Sequence, residues 1–154
     1  MANENPCFKI KSLKNFKEPG KIKNFILSVL AEFGFKLDPR FDKDLDSLKK
    51  NYLKKGNKFW ILIKNKELVG TIAIKKLTKN RAQLKRFYLL KKLRGRGLGK
   101  KMFKKILLFC ENQGYETLYV DVASKMQQGV RFYLKNSFEI IKKEKGNIFL
   151  KRRV

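Results

Sequence analysis

The run Lys91-Lys92-Leu93-Arg94-Gly95-Arg96-Gly97-Leu98-Gly99-Lys100 concentrates glycines and cations just ahead of an apolar helical pattern. That combination points to anion binding. Glycine lets the backbone come close to phosphate oxygens, and the first N–H groups and dipole of a helix favour negative charge. Arg94, Arg96 and Lys100 are expected to add side-chain cations at the same place. Spacing separates the loops that could use this geometry. A Walker loop requires glycine where Arg94 stands and Ser or Thr where Lys101 stands. A dinucleotide fingerprint begun at Gly95 and Gly97 requires glycine at position 100, which is lysine. Neither fits.

Three further segments accompany the loop in order: Leu84-Lys85-Arg86-Phe87-Tyr88-Leu89, Leu118-Tyr119-Val120-Asp121-Val122, and Val130 to Phe138 with Tyr133 inside it. Together with Arg-x-x-Gly-x-Gly at Arg94, Gly97 and Gly99, they resemble the GNAT superfamily of acetyl-CoA-dependent N-acetyltransferases, in its small bacterial form. The matched pieces span residues 81–138, over a third of the chain, and residues 41–77 are similar to the variable front half of such proteins. The resemblance implies an α/β fold with a central mixed, mostly antiparallel sheet and helices on both faces. It also implies transfer of an acetyl group from acetyl-CoA to a primary amine by direct attack in a ternary complex, without a metal. Phe87, Tyr88 and Leu89 would offer backbone groups to the pantetheine arm, whose amides can pair like an added strand. A backbone N–H near Leu89 would polarise the thioester carbonyl. The amides of Arg94, Gly95, Arg96, Gly97, Leu98, Gly99 and Lys100 would hold the pyrophosphate, and a bulky residue at Gly97 or Gly99 should abolish binding while sparing the fold. Tyr133 would protonate the departing thiolate.

The sequence departs from the resembled pattern at three places. Gln83 stands where a glutamate would serve as general base, and an amide cannot accept a proton at neutral pH, although it can orient water or an amine. Asp121, Glu67 and Asp42 are the alternative bases. Ser137 replaces a glycine, and Gly129 replaces an alanine at a helical position, a penalty of about 1 kcal/mol.

The elements that must position these residues are legible in the periodicity. Phe8 to Leu13 alternates as a strand, and Ile22, Phe25, Ile26, Val29, Leu30 and Phe33 fall at helical spacing between Pro19-Gly20 and Gly34. A weaker helix is predicted from Asp42 to Lys54, with Leu45, Leu48, Tyr52 and Leu53 inward. Phe59–Ile63 and Leu68–Ile74 form a hairpin across Asn65-Lys66-Glu67, and Arg81–Leu90 is a further strand. Beyond the loop come a helix to Gln113, a strand Leu118–Val122, a helix Gln127–Asn136, and strands Phe138–Ile141 and Ile148–Lys151. No repeat or linker divides the 154 residues, so one domain is expected.

Composition narrows the chemistry. The chain has no histidine, which excludes Ser-His-Asp and Cys-His catalysis and disfavours a catalytic zinc site. Cys7 and Cys110 are too separated for a disulfide framework, and Cys110 falls on an apolar helix face. The N-terminal residues Met1 to Pro6 lack a secretory pattern, so a cytoplasmic enzyme, monomeric or homodimeric, is expected. With 39 Lys and Arg against 13 Asp and Glu, the formal charge is +26. Such a field attracts polyanions and repels cationic acceptors at long range, so acidic or neutral amines are favoured. A non-catalytic acetyl-CoA-binding module and a basic nucleic-acid binder are the alternative readings. The second lacks a recognisable reading motif, so nucleic acid is not the expected partner.

Overall fold

Strand pairing carries most of the architecture. In the computed structural model, which describes residues 7–154, seven strands form one sheet. They are β1 (Phe8–Ser12), β2 (Lys58–Lys64), β3 (Glu67–Lys76), β4 (Arg81–Leu89), β5 (Thr117–Ala123), β6 (Glu139–Glu144) and β7 (Asn147–Arg153). Their order is β1-β2-β3-β4-β5-β7-β6. Every neighbouring pair is antiparallel except β4 and β5. The sheet is therefore mixed and mostly antiparallel, as the resemblance implies. The segment Met1 to Pro6, over which no secretory signal is expected, lies outside the described residues.

Local chemistry explains the connections. Asn65 and Lys66 both hold positive φ, 47° and 70°, the two-residue turn whose twist suits a tight hairpin. Strand β2 is apolar on both faces because the sheet is covered twice. Phe59, Ile61 and Ile63 pack with α1 (Pro19–Glu32) and α2 (Leu48–Tyr52), whereas Trp60 and Leu62 pack with α3 (Leu98–Gln113) and α4 (Gln127–Lys135). Proline at the first position of α1 sacrifices no helical hydrogen bond, since that N–H would have no partner. Cys110 lies in the α3 core, where burial pushes its thiol up to about 12 and keeps it inert. Ser137 sits at φ 68°, the left-handed conformation in which glycine is unstrained.

The front half differs from expectation. The helix predicted over Asp42–Lys54 is broken into a 3-10 segment, Lys43–Ser47, and the short α2. Side chains compete with the helical ladder there. Asn51 Nδ2 donates to the carbonyls of Asp44 (3.3 Å) and Ser47 (3.0 Å), and Asp42 and Asp44 turn toward Arg86. Leu53, expected inward, is exposed beyond the end of α2.

The Arg86 cluster shapes the sheet. Between the pairs Thr71↔Tyr88 and Ala73↔Lys85, β3 has one residue and β4 has two, so β4 carries a bulge. Arg86 occupies it at φ 53°. Its guanidinium meets Asp44 at 2.5 and 3.0 Å, Asp42 at 3.1 Å and the Phe41 carbonyl at 3.1 Å. The Thr71 hydroxyl donates to the Arg86 carbonyl (2.7 Å), and the Tyr52 hydroxyl donates to Asp44 (2.5 Å). These bonds leave none of the cluster's buried charges uncompensated.

Burial alone would raise the Asp44 carboxyl, but hydrogen bonds and charge from Arg86, with the Tyr52 hydroxyl, bring it below the ordinary carboxylate range. A lowered folded-state pKa contributes stability above the unfolded value of about 3.9, and that contribution is lost as pH falls through the folded value. Breaking a buried pair from one side costs about 3–5 kcal/mol. Asp44→Asn should approach the lower end at neutral pH, because Asp42 still faces Arg86. In denaturant titrations the gap to wild type should be constant near neutrality and shrink below about pH 4. A gap independent of pH would mean that the carboxylate charge contributes nothing.

Candidate active site

Strands β4 and β5 pair only at Arg81↔Thr117, Ala82↔Leu118 and Gln83↔Tyr119. Beyond Gln83, β4 stays with β3 as far as Leu89, while β5 stays with β7 as far as Ala123. Two parallel strands held by different neighbours must part, leaving an opening between Leu84–Leu89 and Val120–Ala123. The Leu90 N–H donates to the Val69 carbonyl at 2.9 Å. Alternation along an antiparallel ladder then turns the Leu89 N–H away from β3 and into the opening. The bulge sets this phase.

The glycine loop closes the wide end. Gly95 (φ 76°) and Gly97 (φ 81°) take left-handed conformations, and Gly97 is the N-cap of α3. Among the described residues, the amides from Gly95 through Arg96, Gly97, Leu98 and Gly99 to Lys100 donate to no protein acceptor; Lys101 is the first to do so, to the Gly97 carbonyl at 3.2 Å. An unsatisfied helix start with left-handed glycines before it suits an anion. Arg96 and Lys100 are exposed beside these amides. Arg94 behaves differently from the free cation expected of it. Its guanidinium forms a two-pronged pair with Glu32 (2.9 and 3.2 Å) and donates to the Leu89 carbonyl at 3.0 Å. It therefore ties the loop to α1 and to the end of β4, and because its own N–H donates to the Lys91 carbonyl at 3.2 Å, Arg94 offers an anion neither the side chain nor the amide expected of it.

Aromatic residues line the α4 side. Tyr133 is buried, with its ring 6.4 Å from Phe87, 5.8 Å from Phe132 and 5.2 Å from Phe138. Its hydroxyl hydrogen-bonds to no protein group among the described residues, and burial raises its phenol, with Tyr88 and Asp121 adding to the effect. Phe87 and Leu89 pack toward α3 and α4, and Tyr88 packs toward α1. Where the strands part, Gln83 Nε2 donates to Asp121 Oδ1 at 2.7 Å. Asp121 is exposed there. Asp42 is buried and paired with Arg86, and Glu67 opens β3 at the hairpin with β2. Of the three carboxylates considered as bases, only Asp121 stands at the opening.

Sequence reasoning passed over Arg86, Asp44, Thr71 and Glu32 as parts of this site. One signal was available. Ala82, Leu84 and Arg86 share a strand parity whose first two members are core residues, and a charge on the buried parity marks a bulge or an ion pair.

Residues 25–138 match the family described as the Acetyltransferase (GNAT) family. The chain is 28% identical over 126 residues to the uncharacterized N-acetyltransferase YjgM of Escherichia coli K12, covering 78% of this chain and 75% of that protein. It superposes with a TM-score of 0.87 on a GNAT-family acetyltransferase from Staphylococcus aureus Mu50, at 30% identity over 96% of this chain and 99% of the other. The fold is shared with the PaiA N-acetyltransferase of Thermoplasma acidophilum, solved in complex with coenzyme A, at a TM-score of 0.80 and 15% identity, covering 96% and 99% of the two chains.

The two loop glycines differ in what a side chain would meet. A Cβ on Gly97 enters open space, whereas one on Gly99 reaches Phe87 at 3.4 Å and Leu89 and Phe132 at 3.6 Å. The expectation that a bulky residue at either position spares the fold therefore fails at Gly99 through packing, and at Gly97 it meets no clash but a backbone strain of about 1–2 kcal/mol at φ 81°. Gly99→Leu should overpack this contact and cost about 1–3 kcal/mol, while Gly99→Ala stays close to wild type. Thermal unfolding of the pair checks it. Equal stability of Gly99→Leu and wild type would contradict the packing described.

Proposed function

The chain belongs to the Acetyltransferase (GNAT) family, and from that premise we propose that it transfers the acetyl group of acetyl-CoA to a primary amine by direct attack in a ternary complex. The observation that carries the reading is the parting of β4 from β5. It leaves the Leu89 N–H and the amides of Gly95–Lys100 without protein acceptors around one opening, with the Tyr133 hydroxyl beside it. Acetyl-CoA supplies an activated acyl group and a stable thiolate leaving group.

The chain's own groups divide the work. The Gly95–Lys100 amides, with Arg96 and Lys100, hold the pyrophosphate. Backbone groups of Phe87, Tyr88 and Leu89 extend the sheet to the pantetheine amides, and the Leu89 N–H stabilises the oxyanion that forms when the amine nitrogen bonds to the carbonyl carbon. Asp121, oriented by the Gln83 amide, takes the proton that the amine loses. This pairing gives Gln83 a positioning task that an amide can perform. As the carbon–sulfur bond breaks, the Tyr133 hydroxyl donates to the sulfur. Burial raises this phenol, and an ordinary thiol titrates near 8.5, so complete transfer to the thiolate is uphill. Tyr133 therefore acts mainly by hydrogen-bonding the developing charge.

A positioned acid typically contributes about 10²–10⁴-fold, and a hydrogen bond to a good leaving group belongs at the low end. Tyr133→Phe keeps the ring packing and should lower kcat about 10²-fold, with little change in the KM for acetyl-CoA. Steady-state kinetics with CoA titrations of both proteins decide it. Wild-type kcat in the variant, or a loss explained wholly by weaker CoA binding, would reduce Tyr133 to a wall of the cleft.

A further inference from the structure

On the α1–α2 side of the sheet, a groove of about 360 Å³ is lined by Asp44, Asn51, Tyr52, Lys54, Lys55, Asn57, Lys75, Lys76 and Leu77. Its floor adjoins the candidate active site. Lys75 is the β3 partner of Gln83, the residue that holds Asp121, and Gln83 lies between Lys75 and Tyr119 in the sheet. The volume suits a small molecule.

The groove's polar groups are unequally committed. Asp44 is bound to Arg86 and Tyr52. Asn51 Nδ2 donates to two carbonyls, and Asn57 bridges the Asn51 carbonyl (2.7 Å) and the Lys76 N–H (2.7 Å). Lys54, Lys55, Lys75 and Lys76 form no ion pair among the described residues, although eight pairs occur elsewhere. Lys76 follows Lys75 on β3 and so turns its side chain to the other face, beside Gly56 and Tyr115. That leaves three unpaired lysines, Lys54, Lys55 and Lys75, lining a groove whose only carboxylate is already used. Lys85 adds to the crowding. Burial holds its ammonium below the ordinary lysine range, Asp44 and Asp121 work in the opposite direction, and Arg86 and Lys75 reinforce the lowering.

An amine acceptor must meet Asp121 as a cation or a proton donor, and beside that carboxylate lies a concentration of unpaired cations. We propose that the acceptor is a small amine that also carries an anionic group, a carboxylate or phosphate, held by Lys54, Lys55 and Lys75 in this groove while its amine faces Asp121. The inference rests on the acetyl-transfer reading and names the substrate class for it. A diamine would place its second cation among these lysines and be rejected, since like charges at contact range cost binding where opposite charges gain it.

The test compares kcat/KM at saturating acetyl-CoA for glycine, β-alanine, glutamate and aminoethyl phosphate, for the neutral amides of the three amino acids, and for putrescine. Amines are compared at pH values giving equal free-amine fractions. The anionic acceptors should exceed their neutral counterparts and putrescine by about tenfold or more, through KM. The paired substitution Lys55→Gln with Lys75→Gln should remove most of that preference and leave CoA affinity and kcat for the amides unchanged. Lys104→Gln with Lys105→Gln, exposed on α3 across the sheet, removes the same charge and should leave the preference intact. Equal or faster turnover of amides and putrescine overturns the inference while leaving acetyl transfer standing. An equal loss of preference in the α3 variant overturns it too, because the field of the whole chain would then be its source. Absence of turnover with every amine, in protein that binds CoA, overturns the acetyl-transfer reading itself.

Discussion

A single arginine sets the geometry on which the site depends. Arg86 occupies an extra position in β4 at φ 53°, a conformation that disfavours any residue with a Cβ. The strain persists because the surroundings over-determine it. Asp42 and Asp44 hold the guanidinium, Thr71 takes up the carbonyl, and Tyr52 completes Asp44. The extra residue rephases the strand, so that Phe87 and Leu89 join the α3–α4 core that Ala82 and Leu84 also serve. It also turns the Leu89 N–H toward β5 just where β5 has left. Buried ion pairs are poor sources of net stability, because desolvation offsets most of the attraction. The Arg86 cluster makes better sense as a device that specifies one backbone path and ties the segment around Asp42–Ser47 to it.

Three carboxylates therefore serve the site without standing in it. Asp42 and Asp44 fix the bulge, and Glu32 fixes Arg94, which in turn caps the Leu89 carbonyl at the end of β4. In a chain with 13 acidic residues against 39 basic ones, such pairings are scarce and mark where position matters. Asp121 is used otherwise: it accepts from Gln83 and remains exposed at the opening.

Local pattern made much of this legible in the sequence. The helical spacing of α1 and α3, the hairpin at Asn65-Lys66 and the glycine loop follow from residues close together in the chain, and each is found where periodicity or turn chemistry places it. What escaped depends on partners far away. Arg86 meets Asp44 across 42 positions, Arg94 meets Glu32 across 62, and Gln83 meets Asp121 across 38. Arg94 read from its neighbours is a phosphate-binding cation; read with Glu32 it is a strut. The segment from Asp42 to Tyr52 has a helical apolar pattern, but its aspartates answer to Arg86 rather than to their own turn.

The central claim is that the bulge and the glycine loop present the Leu89 N–H and the amides of Gly95–Lys100 together to acetyl-CoA. Residue-resolved amide hydrogen exchange, measured with and without saturating CoA and acetyl-CoA, tests it most directly. The account predicts strong protection of the Gly95–Lys100 amides by both ligands, added protection of Leu89 by acetyl-CoA, and no change in the β6–β7 hairpin. Protection spread evenly over the chain, or confined to residues away from Leu89 and the loop, would contradict it.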